Sequence, residues 1–305
     1  MSVTIVLEKM VMLVLLMLVG FGCARAGWID AAFSRKASKL VMSVFIVGMI
    51  LSSVANVQPQ LAGEELALAL AAAFVGFLIS GAIGWLAARV LGFRGRDRDV
   101  AMLSVFFMNN MFIGFPVVEA LCGKEAVFSA SLTNIPFNLL LYTVGVALLR
   151  AERGPFRPRD VLTAPLVATV LAIVLFLFEI PVPGLIADTL STLGAATVPM
   201  SMVIVGVSLS AVPMRAALRD VRCYALSLVR LVVCPLVCWA VMGLILPEGT
   251  QTLGVYTIEM ACPSAAMITI LSVQFGADDR LASRINFLST VLCAVTLPLV
   301  TWLVF

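Results

Sequence analysis

Residues 109–116 read Asn-Asn-Met-Phe-Ile-Gly-Phe-Pro, and residues 259–266 read Glu-Met-Ala-Cys-Pro-Ser-Ala-Ala. Both stretches lie near the middle of long apolar segments. Paired amide side chains are costly in such surroundings unless they are hydrogen-bonded or face water, and a central proline removes a helical hydrogen bond. We therefore expect two helices that are interrupted deep inside an apolar environment, at Asn109-Asn110 and at Pro263.

The surroundings of these stretches are those of a membrane protein. Hydrophobic residues make up 62% of the chain and charged residues 12%, with a mean hydropathy of +1.12, whereas a soluble domain has about 25% charged residues. About 20 apolar residues cross the hydrocarbon core as a helix. The sequence predicts an all-α integral membrane protein with ten transmembrane spans. These spans, numbered 1 to 10, are Thr4–Cys23, Leu40–Val57, Leu66–Ala88, Val100–Cys122, Ala126–Leu149, Val161–Ile180, Leu190–Val212, Cys223–Leu246, Leu253–Phe275 and Leu281–Phe305.

Basic residues concentrate in alternate loops. The loops after spans 1, 3, 5, 7 and 9 hold 17 of the 20 Lys and Arg residues. By the positive-inside rule these loops are cytoplasmic, so both termini are expected outside an inner (plasma) membrane. Topology and lipid headgroup contact account for these charges, and no nucleic-acid partner is expected.

The chain also has an internal repeat. The starts of spans 6–10 follow those of spans 1–5 by 150 to 157 residues. Five spans is an odd number, so the second copy must enter the membrane from the opposite side. This predicts a first five-helix repeat at 1–150, a cytoplasmic linker at 151–160 and an inverted repeat at 161–305, the plan of many secondary transporters.

The two interruptions occupy equivalent points of the repeats. An offset of 153 residues carries Asn109 to Cys262 and Asn110 to Pro263. Irregular backbone at membrane depth must be buried in protein or line a wet cavity, so spans 4 and 9 are expected to cross. The second half-helices would turn their amide ends toward that cavity, which suits an anion. The alternative is a simple proline kink with asparagines bonded to neighbouring backbone.

Candidate residues follow from this crossover. Gly114, Pro116 and Pro263 are predicted hinge positions. Glu259, one turn before Pro263, is predicted either to carry a coupling proton or ion or to pair with Arg230; snorkelling is the commoner explanation for Arg230. The predicted substrate-binding residues are Asn109, Asn110, Cys262, Pro263, Ser264 and Asn138.

At these positions the sequence resembles the auxin efflux carrier family, which includes plant PIN exporters and bacterial carriers of malonate and similar organic acids. The matching elements are Asn109 through Gly114-Phe115-Pro116 to Gly123, Ala261-Cys262-Pro263, Phe275-Gly276-Ala277-Asp278, Val198-Pro199-Met200 with Gly206, Arg230 with Pro235, and Ser289-Thr290 with Thr296-Leu297-Pro298. Plant members carry a proline where this chain has Met108, and a long central loop that it lacks.

The resemblance implies ten helices and a substrate site at the crossover of spans 4 and 9. It further implies a scaffold of spans 1, 2, 6 and 7, a moving transport part of spans 3–5 and 8–10, and a homodimer formed through the scaffold.

Together these observations predict a secondary transporter of small organic anions, such as mono- or dicarboxylates, that works by an elevator or rocking movement. The first alternative is a cation-coupled (H⁺ or Na⁺) carrier of the bile-acid or sodium–proton type; the second is a membrane-embedded enzyme. The chain has no histidine. Cys234 and Cys238 lack further ligands for zinc, so we expect no metal, cofactor or catalytic residue.

Overall fold

We analysed a computed structural model, which describes residues 3–55, 63–150, 162–211, 220–246 and 250–304. Within these ranges the chain is helical apart from one isolated bridge, which confirms the all-α prediction. The predicted linker at 151–160 and one end of each of spans 2, 6, 7 and 10 lie outside the described residues.

The described residues form twelve helical segments. They are α1 Val3–Arg25, α2 Ala31–Leu40 continued through a π-helical turn Val41–Phe45 into Ile46–Ser52, α3 Gly63–Val90, α4 Gly95–Phe106, α5 Asn110–Cys122, α6 Ala126–Leu149, α7 Ala164–Leu177, α8 Gly184–Ser210, α9 Val221–Met242, α10 Gln251–Met260, α11 Ala266–Phe275 and α12 Asp279–Val304.

Several of these helices have the length of a membrane crossing. Helices α3, α6, α8, α9 and α12 are long and apolar enough to span a bilayer, while α5, α7 and α11 are apolar but shorter. A helix satisfies its own backbone hydrogen bonds, which is why helices suit the bilayer interior. The chain is therefore a membrane-embedded helical protein.

Two helices begin six or more residues earlier than the apolar pattern predicts. Helix α2 begins at Ala31, because the side chain of Asp30 accepts a hydrogen bond from the Phe33 amide at 2.6 Å and caps the helix. Helix α8 begins at Gly184, directly after Pro183. In both cases polar or turn-forming residues precede the apolar run, so the sequence pattern places the boundary too late.

Helices α1 and α8 pack at very short range through glycine. A Cβ atom on Gly20 would lie 2.0 Å from the Val203 carbonyl oxygen, and one on Gly206 would lie 1.9 Å from the Met17 carbonyl oxygen. Only glycine permits this approach, and small residues are the usual means of close helix packing in membranes. Helices α1 and α8 therefore form one tightly packed pair.

This packing predicts different effects for two glycines on the same helix. Gly20→Ala should destabilise the protein by about 1–3 kcal/mol, because the new methyl group collides with backbone. Gly22→Ala is the matched control, since a Cβ there meets nothing within 4 Å. Thermal unfolding in detergent measures both. Equal melting temperatures for the two variants would contradict the close α1–α8 contact.

Candidate functional site

The predicted interruptions are present in both segments. Helix α4 ends at Phe106 and α5 begins at Asn110; α10 ends at Met260 and α11 begins at Ala266. Between them each segment contains extended backbone, with Phe107 at φ −102°, ψ 124° and Ala265 at φ −67°, ψ 127°. The breaks predicted from paired asparagines and a central proline are thus confirmed.

The two extended segments cross and bond to each other. Met108 and Ser264 form an antiparallel bridge. The backbone amide of Asn109 donates to the Pro263 carbonyl at 2.8 Å, and the backbone amide of Ala265 donates to the Phe107 carbonyl at 2.9 Å. Each segment satisfies backbone groups that the other would leave unpaired in an apolar interior.

A cavity of about 1450 Å³ ends at this crossover. Met108, Asn109 and Asn110 line it from one strand of the crossover, and Ala265 and Ala266 line it from the other. Apolar side chains form much of its wall, among them Phe112, Phe137, Ile204, Met267 and Phe287. The cavity is large enough for a small organic molecule with room for water.

Charged side chains surround the mouth of the cavity. Arg35, Lys39, Arg280 and Arg284 line it there, together with Asp30 and Asp279. Arg284 also donates to the Asp220 carboxylate at 3.4 Å. The mouth lies among the loops after predicted spans 1 and 9, which are the basic loops expected in the cytoplasm, and the excess of cations there attracts anions.

Two helix N-termini face the cavity. The first amides of a helix have no partner within it, and the first residues of α5 and α11, including Met111 and Met267, line the cavity. Aligned peptide dipoles give each N-terminus a charge of about +0.5. Their convergence at one cavity end favours an anionic group, and backbone amides can donate hydrogen bonds to it.

The two asparagines have different roles. Asn109 lines the cavity, is 7% exposed, and its side chain has no hydrogen bond among the described residues. Asn110 is 1% exposed, and its amide donates to Thr133 at 3.3 Å and to Asn134 at 3.4 Å, both on α6. Asn109 is therefore free to bind a ligand, whereas Asn110 mainly fastens α5 to α6.

Other predicted binding residues lie beside the cavity and do not line it. Cys262 and Ser264 are buried, and the backbone amide of Ser264 donates to the Ser289 hydroxyl oxygen at 3.1 Å. The Asn138 amide donates to the Asn134 carbonyl at 2.8 Å, and its side-chain oxygen accepts from Thr163 at 3.1 Å. Asn138 thus joins α6 to the start of α7 as a packing residue.

Glu259 is buried without a partner. Its side chain is fully enclosed and neither carboxylate oxygen has a hydrogen bond among the described residues. A Cβ on Gly114 would lie 3.4 Å from its Oε1 atom. The neighbouring Thr133 hydroxyl donates to the Ala130 carbonyl at 2.7 Å. A charge at this position would lack compensation.

Arg230 binds both interrupted helices at the crossover, and it does not line the cavity. It lies in a π-helical turn of α9 and is completely buried. Its guanidinium donates to the carbonyls of Val105 at 3.0 Å, Met260 at 2.7 Å and Cys262 at 3.0 Å. Both sequence-based readings of this residue are wrong: it does not snorkel, and within the described chain it forms no ion pair with Glu259.

Sequence reasoning did not find this role of Arg230. A charged residue inside an apolar span signals function or a buried partner. The partners are backbone carbonyls on two other helices, which no side-chain pattern reveals. Residues of α2 and α8 that line the cavity, such as Ser43 and Ser208, were also missed.

A bundle of apolar helices, with two interrupted helices crossing at the end of a cavity, is the architecture of a membrane transport protein. The family model described as membrane transport protein matches residues 5–161 and 155–301. The chain belongs to this family, which is the auxin efflux carrier family that its motifs resemble, so that resemblance is confirmed.

Two relatives cover almost the whole chain. An uncharacterized transporter of Methanothermobacter thermautotrophicus is 26% identical over 296 residues, which are 96% of each chain. An uncharacterized transporter of Methanocaldococcus jannaschii is 25% identical over 312 residues, covering 97% of this chain and 98% of the relative. Both names state transport, and neither states a substrate.

The contrast between the asparagines predicts unequal effects on stability. Asn110→Ala should lower the free energy of unfolding by about 1 kcal/mol, because it leaves Thr133 and Asn134 without their partner. Asn109→Ala, the matched control, should change it little. Thermal unfolding in detergent measures both variants, and a larger loss for Asn109→Ala would contradict the assigned contacts.

Proposed function

We propose that this protein is a secondary transporter of small organic anions. One observation carries the proposal: the N-termini of α5 and α11 face the same end of one cavity as the side-chain amide of Asn109, which has no hydrogen-bond partner among the described residues. Helix N-termini and amide donors recognise carboxylates. No Lys or Arg lines the crossover end among the described residues, so binding relies on amides and dipoles and is modest in strength.

The topology that we propose has ten spans in two inverted repeats. Predicted span 4 corresponds to α4 with α5, and span 9 to α10 with α11, so each repeat contains one interrupted helix. Helix α1 packs on α8 and α2 packs on α7, which are equivalent contacts if the repeats are exchanged. Both termini then lie outside the inner (plasma) membrane, and the cavity opens to the cytoplasm.

We further propose a scaffold of α1, α2, α7 and α8 and a moving transport part made of the remaining helices. The close glycine contacts between α1 and α8 support a rigid scaffold. On the opposite side from the cavity mouth, the Lys124 ammonium donates to the Ser191 hydroxyl at 3.0 Å, joining the α5–α6 loop to α8. Such an exposed contact closes the outer side and is weak enough to break when the transport part moves.

Exposed apolar side chains on α1 and α7 suit lipid or a homodimer contact through the scaffold.

The test of anion transport is uptake into proteoliposomes of radiolabelled malonate, lactate, pyruvate and indole-3-acetate. Asn109→Ala should reduce uptake of the transported anion by about tenfold or more, because a donor to a charged group is lost. Asn138→Ala is the control, since its amide bonds within α6, and it should retain most activity.

Wild-type proteoliposomes that take up none of these anions, or an Asn109→Ala variant as active as the wild type, would contradict the proposed site. Hydrolysis of a substrate without its accumulation would favour the membrane-embedded enzyme.

The surroundings of the Glu259 carboxyl group support transport that is coupled to a cation. The buried carboxyl group has no hydrogen-bond partner in the part of the chain that the structure describes, and Arg230 is bound to backbone carbonyls. A charge on Glu259 therefore calls for a bound proton or Na⁺. Its neighbour Thr133 accepts from Asn110, which adjoins the anion-binding Asn109. A cation at Glu259 would thus lie close to the crossover, since a Cβ on Gly114 of α5 would be 3.4 Å from the Glu259 Oε1 atom.

Coupling predicts a distinctive result for Glu259→Gln, which resembles a permanently protonated carboxyl group. The variant should still bind and exchange the anion, but its uptake should no longer respond to an imposed proton or Na⁺ gradient. Uptake is measured with each gradient applied separately. If wild type and variant respond equally to both gradients, Glu259 is not the coupling site.

A further inference from the structure

Arg230 contacts the two interrupted helices where each first half ends. Val105 lies in the last turn of α4, and Met260 and Cys262 lie at the end of α10 and just beyond it. One guanidinium group thus binds three carbonyls from two helices at distances of 2.7 to 3.0 Å. The planar arrangement of five donors on arginine permits this; the single ammonium of lysine is a less suitable replacement.

These carbonyls are the negative ends of their helices. Each helix C-terminus carries a charge of about −0.5, so the ends of α4 and α10 together place roughly one negative charge behind the crossover. Helices α5 and α11 place a comparable positive charge in front of it, facing the cavity. Without a cation behind the crossover, the two contributions would largely oppose each other at the bound anion.

We infer that Arg230 gives the crossover its preference for anions, because it neutralises the C-terminal ends of α4 and α10 and leaves the N-terminal ends of α5 and α11 unopposed. The inference rests on the proposed function. Arg230 does not line the cavity and is completely buried. It is thus a positioning residue, which acts on the ligand through the helix ends and their electrostatic field.

Glu259 does not neutralise the charge of Arg230 through an ion pair. The two side chains form no salt bridge within the described residues, and the Arg230 donors that have partners point to carbonyls. The guanidinium charge therefore remains available to the helix ends. A cation bound at Glu259 would remove the nearby negative charge and reinforce the same preference.

The experiment compares an acid with its neutral amide, since only the acid senses the field. The probes are indole-3-acetate with indole-3-acetamide, and malonate with malonamide. Dissociation constants are measured on purified protein in detergent for the wild type, Arg230→Lys and Arg230→Gln. Lysine retains the charge, whereas glutamine retains a hydrogen-bond donor without it.

We expect the wild type to bind the acid of at least one pair more tightly than the amide. Arg230→Gln should reduce this acid-to-amide preference roughly tenfold, as expected when compensation of two helix ends is lost. Arg230→Lys should retain most of it. Arg96→Gln is the matched control: Arg96 also donates to three helix-end carbonyls, those of Leu149, Phe275 and Gly276, but away from the cavity, and its loss should leave the preference unchanged.

If Arg230→Gln weakens acid and amide equally, Arg230 is only structural and the inference is wrong, while the proposed function stands. If the wild type has no preference for any acid, the proposed function fails and the inference fails with it.

Should Arg230→Gln not fold, Arg230→His provides the same comparison in one protein. Its acid-to-amide preference, relative to the wild type, should be greater at pH 5.5 than at pH 8.5, because histidine has an ordinary pKa of about 6.5. A preference independent of pH relative to the wild type would overturn the inference.

Discussion

An unpaired peptide group inside a membrane protein costs several kcal/mol, and the backbone of the crossover must find hydrogen-bond partners to avoid this cost. Each interrupted helix exposes backbone at membrane depth, where water is scarce. The two extended segments meet this requirement together, through the Asn109–Pro263 and Ala265–Phe107 hydrogen bonds. Either interruption alone would leave these backbone groups without their protein partners. The pairing of the two breaks satisfies them, and it brings the ends of four helical segments together in one place.

The four helix ends differ in how they are satisfied. The carbonyl ends of α4 and α10 are bound by Arg230, which is enclosed by protein. The amide ends of α5 and α11 face the cavity. The protein thus uses a permanent cation on one side and leaves donors available on the other. This asymmetry gives the proposed anion site its donors without a basic side chain at the site, which suits a carrier that must also release its substrate.

The polar residues around the crossover connect this site to the rest of the bundle. Asn110 bonds to Thr133 and Asn134 on α6, and Asn134 donates to Thr169 on α7 at 3.2 Å. These contacts reach from the helix that begins at the cavity to a helix of the proposed scaffold. Glu259 lies beside the same group of side chains. In the proposed transporter, these side chains would connect the carboxyl group with the anion site and with the boundary along which the transport part moves.

The sequence by itself determined the class of the molecule and the location of its breaks. Long apolar runs require helices in a bilayer, basic loops indicate one side, and paired asparagines and Pro263 interrupt two helices at related positions; these signals are local in sequence. It could not distinguish Asn109 from Asn110, since adjacent residues differ only in which neighbouring helix each one meets. It gave no correct role for Arg230, because the three carbonyls that bind it come from residues 30 to 125 positions away. Those contacts, and the direction in which the helix ends face, were decided only by the tertiary structure, since they depend on how distant helices pack together.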